Sequence, residues 1–140
     1  IKKIVSNGNE IGNLSYNYVS LENKSEEDVA KQISDCTKIL EKISGEQITT
    51  FRAPYGEYND TIIKQARNQN LSVINWNIDS LDYNGLDEEE MMERINKNLS
   101  PGSIILMHNS GKNTAQSLEN ILYNIEQQGY KITTVSDLIS

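Results

Sequence analysis

Three stretches of this chain carry side chains able to do acid–base chemistry: RAPYG at positions 52–56, WNIDSLDY at 76–83 and PGSIILMHNS at 101–110. The first offers a cation, Arg52, beside a fixed Pro54-Tyr55 turn. The second offers two carboxylates, Asp79 and Asp82, between Trp76 and Tyr83. The third carries His108, the only histidine in the sequence. A carboxylate hydrogen-bonded to an imidazole fixes its tautomer and favours its protonated form, so an Asp–His pair makes a competent general acid near neutral pH. Each residue also has an ordinary reading. A lone histidine is commonly a surface or internally satisfied side chain, and single aspartates and prolines commonly just build turns.

The elements that must position these groups are legible in the hydrophobic pattern. Ile104, Ile105, Leu106 and Met107 form a continuous apolar run after a Pro-Gly turn, the pattern of a strand buried on both faces in a parallel sheet. His108 follows it, at the rim where α/β folds gather reactive side chains. Further strands are predicted at Glu10 to Asn13, Ile48 to Phe51, Val73 to Trp76 and Lys131 to Val135. Helices are predicted between them. Ile1 to Asn7 reads as the last turns of a helix stopped by Gly8. Ser25 caps a long helix with the stripe Val29, Ile33, Cys36, Leu40 and Ile43, ended by Gly45. Asn59 or Asp60 caps a shorter one stopped at Asn70, and Asp87 to Glu90 opens another that buries Met91 or Met92, Ile95 and Leu99. Thr114 to Gln128 presents Leu118, Ile121, Leu122 and Ile125, and Ser136 caps a last short turn. The alternation places the three reactive loops after strands and on one rim, in a single α/β domain over residues 1–140 with a mainly parallel sheet. Five predicted strands fall short of the roughly seven or eight that close a (β/α) barrel. The sheet is therefore expected to be incomplete or open, with an edge through which a homodimer can form.

Composition narrows the partners. The chain has 140 residues, 36% of them hydrophobic and 24% charged, with a formal net charge of −7. The 13 Lys and Arg form no basic cluster, which argues against nucleic acid and anionic membranes. A neutral or cationic polymer fits. No apolar run reaches membrane-spanning length and no signal segment is present. The chain starts on Ile1, inside a helical pattern, as expected for a piece of a longer product. Cys36 is the only cysteine, excluding an intrachain disulfide, and its place on an apolar stripe makes it core rather than nucleophile.

The ordered set EIGNLSYNY (10–18), RAPYG, WNIDSLDY, PGSIILMHNS and GYKITTVSDL (129–138) resembles the later motifs of the polysaccharide deacetylases, the NodB-homology domains of carbohydrate esterase family 4. The resemblance implies a distorted (β/α) barrel that removes acetyl groups from chitin, peptidoglycan or xylan with a bound divalent metal, often zinc. It implies roles for residues here. Arg52 would orient the catalytic base, the Tyr55 amide after Pro54 would help hold the oxyanion, Asp82 would tune His108, and His108 would protonate the leaving amine. Leu106 and Tyr83 would line the acetyl pocket, with Asp79 alongside; the family usually has Trp where Tyr83 stands.

The departures from the family pattern fall on the metal. Its two histidine ligands correspond to Leu14, which has no donor atom, and Tyr18, whose phenol is a poor ligand at neutral pH. The early TFDDG-type motif, with its base and metal-binding Asp, does not occur within residues 1–140. No cofactor is therefore expected. The resemblance implies an extracellular or cell-envelope domain acting on acetylated polysaccharide such as peptidoglycan or chitin-like oligomers, with impaired catalysis. One alternative is an active deacetylase whose metal site is completed from outside the chain or by Asn13, Asn17 or a tyrosine. The other is a non-catalytic module binding glycan or protein.

Overall fold

A computed structural model describes all 140 residues, Ile1–Ser140. It comprises helices α1 (Lys2–Ser6), α2 (Glu26–Ser44), α3 (Asp60–Arg67), α4 (Glu88–Asn98), α5 (Thr114–Gln127) and α6 (Val135–Ile139), with short strands β1 (Thr50–Phe51), β2 (Ser72–Val73), β3 (Ile78–Asp79) and β4 (Ile105–Leu106). The chain divides into two compact units, one made of residues 1–75 and 134–140 and the other of residues 76–133. Each holds one parallel strand pair, β1 with β2 and β3 with β4. The class is α/β with parallel pairing. No helix is long and apolar enough to cross a membrane.

In the first unit the core is Leu21, Val29, Ile33, Ile48, Phe51, Ala53, Ile62, Ala66 and Leu71, packed between α2, α3 and the β1–β2 pair. The helices start where side chains satisfy first-turn amides. Ser25 accepts from Asp28 N and Asn59 accepts from Ile62 N, each such cap stabilising its helix by about 1 kcal/mol. They stop where the backbone turns left-handed, at Gly45 after α2 and at Asn70 beyond α3, a conformation glycine and asparagine adopt at least cost. The predicted strand over Glu10 to Asn13 is reduced to one parallel bridge, Asn13 to Phe51. Its Asn13 carboxamide is buried and turned into α2 rather than along a sheet. The predicted helical cap at Ser136 is instead Thr134, which accepts from Asp137 N. Ser136 is engaged by Glu10, whose carboxylate accepts from both its amide (3.0 Å) and its hydroxyl (2.6 Å).

In the second unit α4 and α5 pack Met91, Ile95, Ile121 and Ile125 with Ile78 of β3. The acidic cluster Asp87 to Glu90 opens α4 as expected, and Asp87 and Glu90 in addition form a reciprocal capping box there. The stretch 76–83, expected as one of the three reactive loops, contains β3, paired in register Ile78 to Ile105 and Asp79 to Leu106. The predicted strand at Lys131 to Val135 does not form; Val135 opens α6. That segment has the β-branched composition of a strand, but pairing requires a partner edge that local composition does not encode.

Candidate functional site

The second unit assembles its site around one carboxylate. Asp82 follows β3 and a left-handed Leu81 (φ 55°), at the start of a 3-10 turn over Asp82–Asn84. It is 1% exposed, and a buried carboxylate must be met by donors on both oxygens. Oδ1 meets His108 Nδ1 at 2.8 Å. Oδ2 accepts from the His108 backbone N–H and from Thr114 Oγ1, the latter at 2.7 Å. Burial alone would push the Asp82 carboxyl up; the bonds from Thr114 and His108, with attraction to the imidazole, overcome it and hold the carboxyl below the ordinary aspartate range. A carboxylate on Nδ1 places the proton there, which leaves Nε2 as the nitrogen for an external partner. The His108 side chain is 35% exposed.

Two contacts set the imidazole's surroundings. The Tyr83 ring meets it edge-on, with centroids 5.2 Å apart. Tyr83 is itself tethered, its hydroxyl donating to Asp79 Oδ2 at 3.2 Å, while Asp79 Oδ1 accepts from Leu81 N and its carbonyl from Arg94 Nε. Slight desolvation and the bond to Asp79 raise the Tyr83 phenol. Leu106 lies in β4 and is half-buried. Thus Asp79, Asp82, Tyr83, Leu106 and His108 fall within one unit, with Asp82, His108 and Tyr83 in a contiguous chain.

Three supporting residues escaped the sequence reading. Thr114 supplies a hydroxyl to Asp82 from the first turn of α5. Gly111 admits no side chain, since a Cβ there would collide with Thr114 Oγ1 and lie 2.9 Å from Asp82 Oδ2. Ser80, fully buried, donates to the Leu106 carbonyl at 2.7 Å and ties the two strands at the site. The signal for Gly111 and Thr114 was present in their proximity to His108. Nothing in the sequence says that their partner lies near residue 82.

In the first unit, Pro54–Gly56 forms a 3-10 turn in which Tyr55 is left-handed at φ 61°. The turn is closed by the N–H groups of Gly56 and Glu57, donating to Ala53 and Pro54 carbonyls. The Tyr55 amide is not used in closing it. Pro54 is buried and Tyr55 is exposed. Arg52 donates from Nε to the Ile74 carbonyl at 3.2 Å and from Nη2 to Asn75 at 3.3 Å, and burial draws its guanidinium below its ordinary value. Concave surfaces lined by residues such as Tyr58, Val73 and Ile139, and by Val5, Glu10 and Ser136, contain none of the predicted site residues.

Asn13-Leu14-Ser15-Tyr16-Asn17-Tyr18 is the loop where the family resemblance implies a divalent metal, and its donor set does not fit one. Leu14 is a hydrocarbon. Tyr18 is exposed and packs its ring on Tyr55, with centroids 5.1 Å apart. Asn13 is committed elsewhere: its Nδ2 donates to the Ile33 carbonyl and Thr37 Oγ1, both at 2.8 Å, and its Oδ1 accepts from Ser15 N. No group of three or more His, Cys, Asp or Glu side chains converges anywhere in the chain. Asn13 is thereby a framework residue rather than an unconventional ligand.

Each unit thus carries a parallel strand pair that leads to a motif residue set, the Pro54-Tyr55 turn after β1 in one and the Asp82-anchored His108 after β4 in the other. Residues 1–74 match the family model described as polysaccharide deacetylase, and the chain belongs to that family. Among individual relatives, a peptidoglycan-N-acetylglucosamine deacetylase of Bacillus cereus is 32% identical over 99% of this chain and 67% of its own length. The peptidoglycan-N-acetylmuramic acid deacetylase of Bacillus subtilis is also 32% identical, over 97% of this chain and 28% of its own. Among solved structures, a CE4 family pseudoenzyme from Bacillus anthracis superposes with a TM-score of 0.94 at 25% identity, covering 99% of this chain and 49% of that one. The chain thus spans from about a quarter to two thirds of these relatives' lengths.

Proposed function

We propose that residues 1–140 act as one NodB-type domain that binds N-acetylated cell-envelope glycan and is impaired in deacetylation. A contrast carries this reading. In the acid half of the family site the Asp82 carboxylate is hydrogen-bonded on both oxygens and the His108 side chain is partly open to solvent, while Leu14 and Tyr18 offer no adequate donor where the family has its histidines. The names of the relatives, peptidoglycan deacetylases and a pseudoenzyme, agree with glycan as the ligand and with impairment as a state this fold tolerates. In this reading His108 Nε2 hydrogen-bonds the acetamido group, with Leu106 and Tyr83 beside the methyl. Arg52 braces the end of β2 through the Ile74 and Asn75 carbonyls. The same relatives favour the cell envelope as the place of action.

The test titrates the chain with the N-acetylglucosamine tetramer, followed by NMR, alongside an acetate-release assay and elemental analysis. The reading expects saturable binding that His108→Ala weakens, no acetate release, and no stoichiometric zinc. Metal-dependent acetate release would replace it with an active deacetylase completed from outside these residues. An absence of binding would leave an interaction module of another kind.

A further inference from the structure

The loop that does not fit a metal is ordered in another way. Tyr18 and Tyr55 are exposed by 47% and 63%, yet their rings lie 5.1 Å apart at 53°, as a supported pair rather than as independent surface side chains. Both stand on left-handed backbone, φ 48° for Tyr18 and 61° for Tyr55, and Ser15 in the same loop has φ 68°. Non-glycine residues adopt this conformation only where surroundings enforce it. Here they do so from two sides. The buried Asn13 ties the loop to α2 and accepts from Ser15 N, and Gln32 Oε1 accepts from Ser15 Oγ and Asn17 N. On the other side, Asn75 Nδ2 donates to the Gly56 carbonyl at 2.9 Å and clamps the turn that carries Tyr55.

Resting on the glycan-binding reading, the geometry points to a saccharide-stacking subsite made of the Tyr18 and Tyr55 rings. An aromatic face carries negative quadrupolar charge and attracts polarised C–H groups. The face of a pyranose ring presents such C–H groups, while its equatorial hydroxyls point outward to water or to a phenol. The loop from Leu14 to Val19 contains no charged residue, as suits a neutral sugar. Size argues the same way. Each tyrosine offers at most about 150–250 Å², well below the roughly 800 Å² that a stable protein partner needs on one side, but matched to one sugar ring. Rigid backbone removes much of the ordering cost that would otherwise oppose binding on exposed side chains.

The experiment titrates the N-acetylglucosamine tetramer into wild-type chain and into Tyr18→Ala, Tyr55→Ala, Tyr18→Trp and Tyr123→Ala, reading dissociation constants by calorimetry and tyrosine ring shifts by NMR. Thermal melts confirm that each variant is folded. The subsite predicts a loss of about three- to tenfold for each alanine variant at positions 18 and 55, with affinity kept or improved by Tyr18→Trp. Tyr123, exposed on α5, is the control and leaves binding unchanged. Wild-type affinity in Tyr18→Ala and Tyr55→Ala would overturn the subsite while leaving glycan binding at His108 intact. No binding by the wild-type chain would overturn both readings. Equal weakening by Tyr123→Ala would show a non-specific aromatic effect and overturn the subsite alone.

Discussion

Replacing Asp82 by Asn keeps the shape of the side chain but removes the charge on which Thr114, the His108 amide and the imidazole converge. Hydrogen bonds to a buried charged group are worth about 1.5–3 kcal/mol each, so Asp82→Asn should destabilise the fold by about 3 kcal/mol at neutral pH. The pH dependence has a definite sign. The folded carboxyl titrates below its unfolded value of about 3.9, so the unfolded state binds more protons in that interval. Stability from Asp82 is therefore present above about pH 4 and is lost as pH falls through the folded value. Denaturant melts from pH 6 to pH 2 should show the wild type and Asp82→Asn converging at the acid end. Parallel curves would place the pair's contribution elsewhere. Gly111→Ala offers a second handle on the same group. The added methyl meets Thr114 Oγ1 and Asp82 Oδ2, so the variant should broaden or shift the His108 ring resonances even where the protein remains folded, as two-dimensional NMR will report.

At the scale of elements, the loop from Asn13 to Tyr18 is held to α2 by a side chain rather than by a sheet ladder. Asn13→Ala removes two donors and an acceptor inside the protein, leaving the Ile33 carbonyl and Ser15 amide without this partner; the expected cost is about 2–4 kcal/mol in a denaturant melt. Amide exchange at Ser15 and Asn17 should accelerate more than at Val29. Helices proved far more legible than strands, and the reason is locality. Ser25, Asn59, Asp87, Gly45 and Asn70 declare their ends within a few residues of the bonds they make. The β3–β4 pairing joins residues 27 apart, Ile78 with Ile105, and the alternation at 77–85 was too short to announce it. The same limit applied to the site. His108 and Asp82 could be paired from family motifs, whereas the contributions of Thr114, Gly111 and Ser80 depend on distances that no local pattern carries. The strand predicted at 131–135 fails for the converse reason: suitable composition without a partner.

For the molecule as a whole, charge sets how it should meet a polymer. With a net charge of −7 and a proposed saccharide subsite formed by two uncharged rings, Tyr18 and Tyr55, affinity for an uncharged oligosaccharide should change less than about twofold between 50 and 500 mM salt, because no counterions are released. Acidic polymers should be repelled at low salt. A steep salt slope in calorimetry would mean that charged groups, rather than stacked rings and the His108 pair, make the contact.

Cys36 allows the hold of the Asn13–Tyr18 loop on α2 to be timed. It is the sole thiol, half-buried on α2, its ionisation pushed up by burial and only partly offset by a bond with the Leu14 backbone. Thiolate is the reactive form, so alkylation in the folded protein should be slow and should quicken when the Leu14 stretch lifts from the helix. The rate of labelling with a maleimide then clocks the opening of that loop, with no engineered probe. A saccharide seated on Tyr18 should slow the clock, and Asn13→Ala should speed it.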